Sequence, residues 1–303
     1  KIMLMPDMCA EFKDHPDNFF KVLEGVHESP ALFRTGDGRI VVSPYCPGKG
    51  TATWWQESLA RMDAKGIRIC FVPLFQAWWN YADEFGPISD GYSDWGCAVN
   101  AEESSDARKH SPQKCHGLGK LWMSPVRPQD FRPKDYCAWE SENSALFRNM
   151  WDTAISGGAE WVQLVTWNDY SEASEIAPST GTQYSFYDLS AYYAVWFKTG
   201  QAPEIARDGL LYFYRSQALG LVSEKPQGKP FKLIGKPAEQ IELLAFMKEP
   251  GTLEIEIGGR IYRQDFPAGL NSFNAPSALG RPVFRLVRAG HRAIETDAMP
   301  MDR

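Results

Sequence analysis

The chain has 303 residues, 44% of them hydrophobic and 13% aromatic, with a formal net charge of -6. That is enough apolar material for one large core and a second small one, which excludes disorder. Acidic and basic residues are interspersed with no basic stripe among aromatics, which excludes a nucleic-acid groove, and no apolar run reaches the roughly 20 residues that span a bilayer.

The first eight residues read as a strand already in progress and lack the small-residue cleavage site of a signal peptide, so an N-terminal segment, and any export signal with it, is expected to be missing. Apolar strands are predicted at 2–6, 40–45, 67–75, 120–124, 161–167 and 210–214. Between them, Pro16 opens a helix carrying Phe19, Phe20, Leu23 and Val26. A second helix covers 54–64 and stops at Gly66, a third covers 144–155 and stops at Gly157 and Gly158, and a fourth carries Leu189, Tyr193 and Trp196 and stops at Gly200. Strands alternating with helices predict an α/β fold built on parallel pairing. Six strands with an abrupt start predict a (β/α)8 TIM barrel lacking its first units. The alternative, an open doubly wound sheet, lacks the G-x-G-x-x-G turn expected after one of its strands.

After Arg215 the texture changes to short alternating segments at 231–234, 241–246, 253–257, 261–263, 271–273 and 283–287, separated by Gly, Pro and Asn. They predict a small antiparallel, sandwich-like β-domain. The domains are thus expected at 1–218 and 219–303. Six cysteines without a C-x-x-C pair argue against zinc. Cys70 falls inside a predicted strand and reads as a buried thiol, while Cys97 and Cys115 bracket a polar loop that a disulfide would staple.

Strand alternation over 161–169 sends Val162, Leu164 and Thr166 to a helix-facing side and Gln163, Val165, Trp167 and Asp169 to the other. Asp169 would then stand over the barrel mouth, where barrel enzymes keep their catalytic groups. Glu172 follows after the strand should have ended, giving the pair of carboxylates that glycoside hydrolysis requires. The same spacing also fits a plain turn, with Asp169 as its cap and Glu172 and Glu175 as solvated charges. Asp7, just past the first strand, is a third rim acid or another cap. Trp78, Trp95, Trp122 and Trp167 follow or end strands and offer faces for sugar rings, with Gln76, Asn80 and Asp94 to bond hydroxyls; Trp54 and Trp55 lie in a helix and read as core. The five histidines have no metal-ligand spacing and no G-x-S-x-G elbow occurs, so neither metal nor cofactor is expected.

The segment Thr166-Trp167-Asn168-Asp169-Tyr170-Ser171-Glu172 resembles the T-W-N-D-Y-G-E element of glycoside hydrolase family 71, the α-1,3-glucanases or mutanases. Met5-Pro6-Asp7-Met8 is similar to that family's F-D-M strand end, Phe71-Val72-Pro73 to its F-V-P strand, Asp90-Gly91 to Trp95 to its D-G…W loop, and Ser124-Pro125 to the start of its S-P-W-F. The resemblance covers about residues 1–215. It implies an endo-acting, inverting hydrolase of α-1,3-glucan, with Asp169, Glu172 and Asp7 as essential carboxylates. Glu172 is favoured as acid and Asp169 as base, and Asn168 and Tyr170 join the substrate contacts.

Departures occur at Ser171, Ala173, Ser174 and Glu175, and at Val126-Arg127, where an aromatic gives way to a cation; an anionic or decorated glucan is one consequence. Two other readings stand beside the first: a non-catalytic carbohydrate-binding barrel, and a hydrolase of another α-linked glycan such as mannan. The expected partner is a polysaccharide, the expected state a monomer, and the expected location extracellular or periplasmic.

Overall fold

The computed structural model describes residues 1–218 and 230–301. Helix α1 (Asp17–Val26) begins after Pro16 and buries Phe19, Phe20 and Leu23. After β1 (Ile40–Val42), α2 (Ala52–Asp63) starts at Thr51, whose Oγ1 accepts from Trp54 N at 3.1 Å and satisfies a first-turn donor. Then come β2 (Ile69–Phe71), β3 (Leu74–Phe75), α3 (Ala82–Phe85), β4 (Gly91–Asp94), α4 (Asn100–Glu103), α5 (Asp106–Lys109), α6 (Ser111–Gly117) and β5 (Leu121–Val126). The hairpin strands β6 (Asp130–Arg132) and β7 (Cys137–Trp139) precede α7 (Ala145–Ser156), β8 (Trp161–Leu164) and α8 (Ser185–Thr199), the last ended by Gly200 at φ +74°. Strands β9 (Gly209–Phe213), β10 (Lys232–Ile234), β11 (Gln240–Met247), β12 (Gly251–Ile257), β13 (Arg260–Phe266), β14 (Gly269–Pro276), β15 (Val283–Arg288) and β16 (His291–Asp297) complete the order.

The chain divides into two compact units. The first comprises Lys1–Cys97, Glu103–Val126 and Met150–Val165. Its frame is parallel: β1 pairs with β2, β3 with β4, β4 with β5, and β5 with β8. Isolated parallel bridges from Leu4 to Val42, Asp7 to Tyr45 and Tyr45 to Leu74 join residues 2–7 and the two sheets into one series. Six parallel segments therefore stand side by side in chain order, and among the described residues no closure into an eight-stranded barrel is seen. Five of the six match the predicted strands. The sixth, β4, is Gly-Tyr-Ser-Asp, expected as a loop. It is a strand because Gly91 lets the backbones close up: a Cβ there would lie 2.5 Å from the Leu121 carbonyl oxygen. Val41, Cys70, Val72 and Met123 form the buried centre of this sheet, packed by Met3, Phe33, Leu121 and Trp161.

The second unit comprises Ala98–Glu102, Arg127–Asn149 and Thr166–Arg303. Two antiparallel sheets, ordered β14-β11-β9 and β13-β12-β15-β16, share one core made by alternate residues: Ile241, Leu243, Ala245 and Met247 from β11, Leu253, Ile255 and Ile257 from β12, Phe284 and Leu286 from β15. The predicted strand at 210–214 belongs here, pairing antiparallel with β11 rather than continuing the parallel series. The opposite face of β11 carries Glu242, buried, which accepts from Ser144 N and Ser144 Oγ at 2.9 Å, Arg148 Nη2 at 3.0 Å and Ser272 Oγ at 2.6 Å. It therefore caps the start of α7. The predicted strand at 231–234 is β10, which pairs parallel with β7 in a third sheet, β10-β7-β6. Strand β16, mostly polar and exposed, is an unpredicted sheet edge. The division expected after residue 218 meets residues 219–229, which lie outside the described residues.

No disulfide joins Cys97 to Cys115. None of the six cysteines is in a disulfide: Cys97 Sγ donates to Glu103 Oε2 at 3.5 Å and Cys115 Sγ to the Leu121 carbonyl at 3.1 Å. Among the described residues no helix is long and apolar enough to cross a membrane.

Candidate active site

The alternation that would carry Asp169 outward along a strand ends with β8, where Leu164 is exposed and Val165 buried. From Thr166 the chain doubles back: Thr166 N donates to Ser174 O at 3.0 Å, Ile176 N to Thr166 O at 3.1 Å and Ala177 N to Trp167 O at 2.9 Å. Inside this loop Thr166 Oγ1 accepts from Asp169 N at 3.1 Å. Asp169 Oδ1 accepts from Ser171 N at 3.1 Å, Ser171 Oγ at 2.8 Å and Glu172 N at 3.2 Å. Asp169 thus builds the turn that presents Glu172, as its capping reading required.

Glu172 meets a set of charges. Its Oε2 lies 2.9 Å from Arg132 Nη2 and 3.5 Å from Arg127 Nη2. Buried Asp130 accepts from Arg127 and, at 2.7 and 2.8 Å, from Arg132 Nε and Nη2. Phe131 N donates to the Glu172 carbonyl at 2.8 Å, so the β6 backbone also holds the loop. The Arg132 guanidinium sits 5.2 Å over the Trp139 ring of the neighbouring strand β7. Two carboxylates and two guanidinia alternate, which balances their charge at low exposure. Burial raises the Glu172 carboxyl above its ordinary range, against the pull of Arg132, with Asp130 and Asp169 adding to the rise. Arg127 stood out in the sequence as a departure; Asp130 and Arg132 did not. The signal that would have found them is the polar-apolar-polar Asp130-Phe131-Arg132 run, short but strand-like.

Four aromatic rings stand out on the same unit. Trp167 is 53% exposed, Tyr170 57%, Tyr184 60% and Tyr187 44%. The Trp167 and Tyr187 rings are 6.2 Å apart and those of Tyr187 and Tyr184 6.4 Å apart. Asn168 is exposed between them in sequence, whereas Glu175, expected as a solvated loop charge, is buried with Oε2 lacking a hydrogen-bond partner.

In the first unit, the C-terminal ends of the parallel segments gather several predicted site residues. Asp7 bridges to Tyr45, and its Oδ1 accepts from Cys9 N at 2.8 Å and Ala10 N at 3.0 Å. The Tyr45 ring lies 4.8 Å from that of Trp95, and Gln76 is exposed. Asp94 ends β4, where its Oδ1 accepts from Gly96 N and Arg108 Nη1, each at 2.9 Å; Oδ2 has no partner, and burial raises the acid against the pull of Arg108. Trp78 and Trp122, expected along a cleft, are buried in the core. Their rings are 5.6 Å apart, and Trp78 Nε1 donates to Ser111 Oγ at 3.1 Å. Both follow or lie on strands, as a cleft residue would, but their neighbours Tyr92 and α6 enclose them.

Comparison with known proteins bears on this arrangement. The sequence is 23% identical over 287 residues to a glucan endo-1,3-alpha-glucosidase of Schizosaccharomyces pombe, covering 84% of this chain and 65% of that protein. It is 23% identical over 270 residues to the ascus wall endo-1,3-alpha-glucanase of the same yeast, covering 77% and 61%, and 24% identical over 196 residues to a mutanase of Penicillium rubens, covering 57% and 42%. The chain therefore spans less than two thirds of the length of these relatives. In structure it is similar to a GH99 endo-alpha-mannosidase of Bacteroides thetaiotaomicron, with a TM-score of 0.50 at 15% identity over 65% of this chain and 66% of that one, which marks a shared mixed α/β fold. The description "Glycosyl hydrolase family 71" matches residues 1–302, from the strand ending at Asp7 through the loop of Asp169 and Glu172 to the last antiparallel strands, and the chain belongs to that family.

Proposed function

We propose that this chain is the larger part of a glycoside hydrolase that cleaves α-1,3-glucan, endo-acting and inverting, with Glu172 as general acid, Asp169 as base and Asp7 assisting. The observation that carries the reading is Glu172 itself: a carboxyl raised by burial, yet held in one place by Arg132 and by the turn that Asp169 builds. An upward shift is the direction a general acid requires, because it must carry the proton it gives to the leaving oxygen. Asp169, three residues earlier, offers Oδ2 while Oδ1 serves the turn. The names of the yeast and Penicillium relatives supply the substrate class. The exposed rings of Trp167, Tyr170, Tyr184 and Tyr187 supply flat apolar faces for glucose units. We read the six parallel segments as six units of a (β/α)8 barrel. A polymer substrate of this size is met outside the cytoplasm, in the extracellular or periplasmic space.

The test is release of reducing sugar from insoluble α-1,3-glucan, with α-1,4-glucan, β-1,3-glucan and α-mannan in parallel, by the full-length protein and its Glu172→Gln variant. Activity on α-1,3-glucan alone, lost in the variant, is the expected result. Activity confined to mannan would overturn the substrate, and an unchanged variant would overturn the role of Glu172.

A further inference from the structure

Tyr45 N donates to Pro6 O at 2.9 Å and Met8 N to Tyr45 O at 3.1 Å, so the chain around Asp7 runs beside the chain around Tyr45 as a parallel pair. Just past this pairing stand Cys9 and Cys46. Each is fixed by its own turn. Cys9 N donates to Asp7 Oδ1, and Cys46 adopts left-handed backbone (φ 53°, ψ 46°), a conformation that an L-residue holds only where its surroundings determine it. The two thiols lie near enough to influence each other: the Cys9 thiol, after burial, raises Cys46. Cys9 and Cys46 stand two residues and one residue beyond the paired Asp7 and Tyr45, and paired strands lie about 4.8 Å apart, inside the roughly 4.4–6.8 Å that a disulfide spans between Cα atoms. Both residues are half-buried, so a small oxidant can reach them. The other four cysteines do not share this arrangement: Cys97 and Cys115, for instance, each have a separate partner.

We propose that Cys9 and Cys46 are a redox-closable pair that takes a small disulfide, such as oxidised glutathione, as oxidant and becomes a disulfide tying the Asp7 turn to the end of the β1 segment. Cys46 is pushed up to about 12 by burial and by the Cys9 thiol, so it is a poor nucleophile at neutral pH and Cys9 opens the exchange. The Cys9 sulfur bonds to one sulfur of the oxidant, whose S–S bond breaks, and the first glutathione leaves carrying the Cys9 proton. Cys46 then gives up its proton and bonds to the Cys9 sulfur, and the second glutathione leaves as a thiol with that proton. Two protein thiols are oxidised and one disulfide is reduced to two thiols. The closed form restricts the unfolded chain across residues 9–46 and so resists unfolding.

The protein is incubated with oxidised glutathione, blocked with an alkylating agent and digested without reduction for mass spectrometry. The expected product is a Cys9–Cys46 linked peptide lighter by two hydrogen atoms, absent from Cys9→Ser and Cys46→Ser and retained in Cys97→Ser. Reduction should then lower the Tm of the oxidised wild type and leave that of Cys9→Ser unchanged. If a serine variant fails to fold, the wild type still decides, because Cys9 and Cys46 must lose alkylation together on oxidation. Both remaining alkylated, stalling as mixed disulfides, or pairing with other cysteines would overturn the proposal.

Discussion

Arg132 Nη2 lies 2.9 Å from Glu172 Oε2 while the same nitrogen donates to Asp130 at 2.8 Å. The guanidinium is therefore shared between a buried acid and the proposed proton donor. It opposes the rise that burial imposes on Glu172. Arg132→Met removes that opposition, so the Glu172 pKa must climb further. If Glu172 acts as general acid, activity is lost as pH rises through its pKa, and in the variant this descending limb moves to higher pH. A pH profile of kcat/KM on soluble α-1,3-oligosaccharide checks it; a limb that moves to lower pH contradicts the arrangement.

Asp169 holds three donors with one oxygen and so has a structural task besides any chemical one. Asn keeps an acceptor at that position. Asp169→Asn is expected to stay within about 0.5 kcal/mol of wild-type stability, whereas Asp169→Ala loses about 1–2 kcal/mol. If Asp169 is also the base, Asn still costs at least about a hundredfold in kcat. Denaturant unfolding and initial rates separate the two tasks.

Trp167 and Tyr187 are exposed and 6.2 Å apart, so truncating either should leave the fold within about 0.5 kcal/mol. Loss of a sugar-stacking face is worth roughly 1.4 kcal/mol, or about tenfold in KM. Trp167→Ala and Tyr187→Ala should each raise KM by that factor with kcat nearly constant, measured on a chain long enough to reach both rings.

Glu242 is the buried acceptor for Ser144, Arg148 and Ser272. Glu242→Ala leaves the Arg148 charge and the Ser144 N–H without it and should cost about 3–5 kcal/mol. Glu242→Gln, which keeps one acceptor oxygen, should cost less. Urea unfolding followed by tryptophan fluorescence gives both values.

Local signals carried the four long helices and most strands, while the short helices α3 to α6 were not foreseen: Thr51 and Gly66 bracket α2, and Gly200 ends α8 where its sequence stops. Strand β4 was hidden because Gly-Tyr-Ser-Asp has no β-branched run, and what makes it a strand is the space beside Leu121. Strand β9 was visible, but alternation reports a strand and not its neighbour, so its antiparallel partner β11 was not foreseen. In the site, the Trp167–Glu172 loop was legible through its resemblance to a known element. Asp130 and Arg132 were not, because three-residue strands carry too little periodicity. Trp78 and Trp167 are the same residue type near strand ends, and only tertiary packing separates the buried one from the exposed one.

The parallel pairing of β10 with β7 has a consequence for synthesis. Residues 232–234 leave the ribosome long after the Asp130–Trp139 hairpin, yet they cover the free side of β7 in the sheet that carries Asp130 and Arg132. Until they arrive, β7 presents an open edge to any nascent or neighbouring chain. The setting of Glu172 is therefore completed late in translation, and a chaperone that shields this edge during the delay would govern the yield of folded protein.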